Sequence, residues 1–142
     1  MKTKFLLILF LVYGAGFSQK KELGQKSDSD KILVEFPIPY KDDFTTFKKL
    51  KTADEYFYSA SGRTKRLKSQ LDSTTIYIAI REYQFAIKSN QKHWASYRNL
   101  SRLFVMINRK DLALLSIEKA IQYCPKNDKE STITIKDEIL NQ

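Results

Sequence analysis

The side chains best able to do chemistry are few: one histidine, His93, one cysteine, Cys124, and arginines at 98, 102 and 109. A cysteine and a histidine can form a thiolate–imidazole pair. A helical hairpin that began at His93 and ended at Cys124 would bring the two near one another. A small buried core cysteine and an exposed histidine at a helix start account for them more simply, so no catalytic residue is assigned. Metal chemistry has weaker support. Asp42 and Asp43 are too few for an oxygen cage, and the sequence has no Cys or His cluster. The four glycines are scattered and form no phosphate-cradling loop, and His93 sits in no recognisable triad context. Neither a metal nor a cofactor is implied.

Binding is better served. From about Trp94 to Ile107 the apolar residues recur at helical spacing, with Tyr97, Leu100, Ser101 and Phe104 on one side. The stripe left over reads Arg98, Arg102, Val105 or Met106, and Arg109. Arginine forks grip carboxylates through two parallel hydrogen bonds, so an acidic peptide or a free C-terminus suits such a face. A solvated arginine face is the other reading, and the sequence leaves both open. A second basic feature is RTKRLK, residues 63 to 68, with four cations in six residues. Such a run attracts nucleic acid, acidic polysaccharide or anionic lipid head groups. Leu67 is its only large apolar residue, which is poor material for a membrane-surface helix. A solvated helix or loop is its plainest reading.

The elements that position these groups follow a signal-like start. Lys2 and Lys4 precede an uncharged apolar run from Phe5 to Tyr13, and Gly14, Ala15, Gly16 and Ser18 supply small residues for cleavage. The run is too short to span a bilayer, which takes about 20 apolar residues. No cysteine near the cleavage point suggests lipidation. Residues 1–18 are therefore expected to be a cleaved signal peptide, which places the mature protein in a periplasm or outside the cell, with no stable membrane insertion. Export argues against nucleic acid as the natural partner. The basicity survives cleavage: the charge falls from +9 to +7, because 23 basic residues remain against 16 acidic ones. With a single cysteine the chain forms no internal disulfide, so the core alone must hold the fold.

Residues 19–51 are expected to be a flexible leader, to residue 31, and then an extended apolar segment, ILVEFPIPY, at 32 to 40. Pro37 and Pro39 push Phe36 and Ile38 into extended backbone and preclude a helix. From Thr52 the pattern turns helical. Thr52 and Glu55 fit a capping box, and the helix either runs past Gly62 or breaks there. Asp72 or Ser73 caps the next helix, which carries Ile76, Ala79, Ile80, Tyr83, Ala86 and Ile87 on one face. Asn108 suits a left-handed helix end. Asp111 is placed to cap a further helix with Ala113, Ile117, Ala120, Ile121 and Cys124 inward, and Pro125 stops it. ESTITIK, read alone, suits a strand as well as a closing helix.

One interval organises this pattern. AIREYQFAI at 79 to 87 and ALLSIEKAI at 113 to 121 lie 34 residues apart, and Ala79/Ala113 and Ala86/Ala120 coincide. Residues 94 to 127 resemble a tetratricopeptide repeat, whose helix–turn–helix unit has that period. Tyr97, Leu100 and Phe104 stand at its large apolar positions, Ala113 and Ala120 at its alanines and Pro125 at its closing proline. The preceding unit resembles the family only through Ala79, Tyr83 and Ala86, and Gln91 replaces the proline. The resemblance implies an all-α fold of antiparallel helical hairpins in a right-handed array over residues 52–142, behind the irregular N-terminal segment. It also implies a non-catalytic adaptor that holds a protein or peptide against the first helix of each pair. The contact residues expected are then Arg98, Asn99, Arg102 and Met106, with Val105 as a fifth. The alternative function is a binder of acidic surface polysaccharide or another polyanion. Two repeats leave apolar surface open, since about three are needed for a continuous core. ILVEFPIPY, aided by Phe44 and Phe47, is expected to cover it, or else a homodimer forms through an end helix.

Overall fold

A computed structural model describes residues 26–39, 47, 49–67 and 72–142. Residues 1–18, together with Asp42, Asp43 and Phe44, lie outside the described residues. Among the described residues there are six helices and no strand: α1 (Asp28–Ile32), α2 (Ala53–Arg66), α3 (Ser73–Ser89), α4 (Trp94–Met106), α5 (Lys110–Tyr123) and α6 (Lys126–Leu140). The fold class is all-α. The two stretches that locally suit strands, TTIYIAI and ESTITIK, both lie inside helices. There, continued apolar spacing toward a common core outweighs the preference of β-branched residues for extended backbone.

Most of the helix ends are written locally. Thr52 accepts from the Glu55 amide, and the Glu55 carboxylate returns the contact to the Thr52 amide at 3.3 Å and to that of Lys51 at 2.7 Å. Gly62 does not break α2. A methyl group at its Cα would meet nothing within 4 Å, so the helix passes it at the modest entropic cost of a glycine. Asp72 caps α3 through the amides of Thr74 and Thr75. The Thr75 hydroxyl, and then these amides, hold the Asp72 carboxyl below its ordinary range. At the end of α4, Asn108 takes φ 58°, with its amide on Val105 O and the Arg109 amide on Phe104 O. That bond pair closes a helix through one left-handed residue, a conformation asparagine tolerates.

Three local expectations are corrected. Asp111 does not cap α5. Arg109 occupies the cap position without a side-chain cap bond, and Asp111 sits in the first turn, gripped by the Arg109 guanidinium at 2.7 and 2.9 Å. The leader is not irregular to residue 31, because Ser27 and Asp30 form a reciprocal capping box that starts α1. His93 is not an exposed helix start, since its side chain is only 12% exposed.

In packing, α2 lies chiefly against α3 and α4 against α5, and α3 against α4 and α5 against α6 join these pairs. Ala79, Ala86, Ala113 and Ala120 are fully buried. A methyl group is all that closely approaching helices can accommodate at a crossing. Tyr83, Tyr97, Phe104, Ile80, Ile87, Leu100 and Ile117 fill the space around them.

The N-terminal segment lies against this array as a strap. Ile32 is fully buried in the core, and the Phe36 ring lies 5.9 Å from Phe104 and 6.2 Å from Tyr77. Helix α3 holds the strap by its main chain. Gln84, itself buried, donates to Ile32 O at 2.9 Å and Val34 O at 2.8 Å. Arg81 donates to Phe36 O and pairs with Glu35, and the Thr74 hydroxyl donates to Pro39 O. Phe47 sets its ring edge-on to Phe85 at 5.7 Å.

Candidate functional site

Two ties set the relation between α2 and α4, whose nearest ends, Arg66 and Trp94, are 28 positions apart in the chain. At their starts, His93 Nε2 meets Asp54 at 3.0 Å. About two turns on, the Tyr83 hydroxyl of α3 bridges them, 3.1 Å from the Ser61 hydroxyl and accepting from Asn99 Nδ2 at 3.0 Å. Matching start to start and middle to middle, the two helices run parallel, with Tyr83 beneath the seam.

Beyond that bridge the helices enclose an open-sided cavity of about 490 Å³, lined by Ser61, Thr64 and Lys65 from α2, by Leu67 just past its end, and by Asn99, Arg102, Leu103 and Met106 from α4. Leu67 and Leu103 are nearly buried and form its floor, while Met106 is 45% exposed at its edge. Lys65 and Arg102 are exposed, and among the described residues neither makes an ion pair or a side-chain hydrogen bond. An unpaired cation facing an apolar floor can take a carboxylate with less competition from water than one on an open surface.

Three of the four expected contact residues, Asn99, Arg102 and Met106, thus come together on one cavity. Arg98 does not join them. Its guanidinium lies 4.8 Å from the centre of the Trp94 ring, one helical turn back, and it is absent from the lining. Arginine stacks on an indole face through cation–π attraction, and Trp94 therefore draws Arg98 aside. Its Nε is buried without a hydrogen-bond partner among the described residues. Val105 packs against the core instead. The residues missed from sequence are those of α2. Ser61, Thr64 and Lys65 fall at helical spacing, a signal that required the helix to be carried past Gly62.

Both ring nitrogens of His93 have partners, one near in the chain and one far. His93 Nδ1 meets the Ser96 hydroxyl at 2.8 Å and its amide at 3.3 Å, while Nε2 meets Asp54. The order Ser96–His93–Asp54 has the composition of a hydrolytic triad. Ser96 is fully buried, however, and a nucleophile must be reachable by its substrate. The arrangement caps α4 and ties it to α2. Cys124 is half-buried rather than fully buried, and its thiol is turned to Ile121 O at 3.6 Å. No hydrogen bond joins it to His93. Among the described residues no group of three or more His, Cys, Asp or Glu side chains could hold a metal ion, and no helix is long and apolar enough to cross a membrane.

No family model matches the chain, and no curated protein or solved structure matches it either.

Proposed function

We propose that this is an exported, non-catalytic adaptor of tetratricopeptide-like build that binds a protein or peptide in the groove between α2 and α4. One observation carries the reading. Lys65 and Arg102, from helices far apart in sequence, stand on the same cavity with an apolar floor, and neither is paired with another of the described residues. The tetratricopeptide-like build draws support from the 34-residue interval, because the alanines it relates are all fully buried in helices that pack as successive pairs. The ligand class is an acidic segment of polypeptide. The polyanion alternative loses weight because Arg63, in the basic run, is held at 3.0 Å by the buried carboxylate of Glu82.

The test is cross-linked capture from the native envelope and medium with wild type and with Lys65→Glu/Arg102→Glu. A discrete protein captured by wild type and lost in the variant is the expected result. Equal capture by both, with melting unchanged, removes the groove as the site. Salt-sensitive capture of polysaccharide, without a protein, would favour the polyanion reading.

A further inference from the structure

We propose that the α2–α4 groove takes an internal, extended stretch of polypeptide carrying an acidic side chain and a bulky apolar side chain two positions apart. This rests on the reading of the groove as the protein's peptide site, and adds the pattern that the site selects.

The pattern follows from the order of groups along the groove. Because α2 and α4 run parallel in register at Ser61 and Asn99, residues equally far beyond those two share a level. Three or four residues on, Thr64 and Lys65 face Arg102 and Leu103; six or seven residues on, Leu67 faces Met106. At 1.5 Å per residue the cationic level lies about 5 Å beyond the hydroxyl–amide level, and the apolar level about 5 Å further. The groove therefore reads polar, cationic, apolar along its length.

In an extended chain neighbouring side chains point to opposite faces, and residues two apart share a face about 6.6–6.8 Å from one another. Arg102 and Met106 stand one helical turn apart, about 6 Å. Only a separation of two lays a carboxylate at Lys65 and Arg102 while an apolar side chain reaches Leu67 and Met106. Adjacent residues would send one of the pair away from the groove, and a separation of three would do the same. The cationic level lies between a polar and an apolar one, so a ligand that fills the groove continues to both sides of its acid. A side-chain carboxylate, rather than the chain's own terminus, meets that condition.

Calorimetric titration of the full chain with short acetylated and amidated peptides tests this. They carry one aspartate and one leucine, in either order, one, two or three positions apart in a glycine–serine background. In at least one order the separation of two should bind tenfold or more tighter than the others, and Arg102→Glu should abolish the difference. Affinity that does not depend on spacing but is still lost in Arg102→Glu overturns the pattern and leaves the groove reading standing. Binding unaffected by Arg102→Glu overturns both. Failure of every peptide to bind overturns the pattern, with capture by the intact protein then deciding on the groove. An asparagine-for-aspartate peptide with a free C-terminus that binds equally well assigns the anion to a chain end, and also overturns it. Unchanged melting of Arg102→Glu controls for folding.

Discussion

Neighbouring residues of α3 serve two different surfaces, and these surfaces are built on opposite terms. Gln84 is turned to the strap, where it donates to two main-chain carbonyls, and Arg81 and Thr74 extend the same grip. Tyr83, one residue earlier, lies beneath the groove and joins Ser61 to Asn99. α4 repeats the division, with Phe104 against the strap and Leu103 on the groove floor. Under the strap these polar side chains have partners within the chain, and the apolar ones are closed over. In the groove the Asn99 amide and the Ser61 and Tyr83 hydroxyls are bonded to one another and the Thr64 hydroxyl donates to Ser61 O, but the two cations have no partner among the described residues and the Met106 side chain is exposed. A covered surface whose polar atoms are satisfied contributes to stability. A preformed surface with unpaired charge contributes little to folding and is available for binding.

That contrast makes substitutions at the two surfaces separable. The largest effect is expected from Ile32→Ala in the strap, which should lower the free energy of unfolding by about 2–5 kcal/mol, as for any fully buried aliphatic side chain. Denaturant titration reads it, and a loss below 1 kcal/mol would show the strap to be loosely held. Gln84→Ala should cost about 1–3 kcal/mol, since two carbonyls under the strap lose their donor. If hydrogen exchange at the strap's amides stayed as slow as in wild type, the main-chain grip would not be what holds it.

On the α2 side, Gly62→Ala should stabilise by about 0.5–1 kcal/mol, because the helix gains propensity and the added methyl meets nothing. A lowered melting temperature would contradict the helical course through that residue. Lys65→Glu/Arg102→Glu should alter stability by less than about 0.5 kcal/mol while removing binding. A large melting shift would move these cations from the ligand site into the scaffold.

The smallest effect concerns acid. Asp72 is held below its ordinary range mainly by the Thr75 hydroxyl, and Asp111 mainly by the Arg109 guanidinium. A depressed carboxyl stabilises the fold above its unfolded pKa and loses that contribution as pH falls through the folded value. The difference in melting temperature between wild type and Asp72→Asn should therefore be widest near pH 5 and shrink toward pH 2. A gap that widened on acidification would reverse the assignment.

What the sequence determined by itself is what three or four neighbouring residues can decide. Thr52 with Glu55, Asp72, and Asn108 end their helices through contacts within a turn, and the apolar spacing of α3, α4 and α5 marks the side they bury. The same spacing placed Arg102 and Met106 on one stripe, and the tetratricopeptide resemblance added Asn99, so the α4 side of the groove was largely legible. The rest was not. Arg98 belongs to that stripe by spacing, yet the ring of Trp94 outcompetes the groove for it. Lys65 reaches Arg102's cavity only because His93 and Tyr83 align helices that are distant in the chain. Glu82 and Gln84 look like surface residues on a helix and are buried because Arg63, 19 residues away, and the strap, about 50 residues away, come to meet them. Local hydrogen bonding and periodicity are properties of a segment. Which polar group meets which partner across the fold depends on how segments pack, and only the tertiary structure decided that.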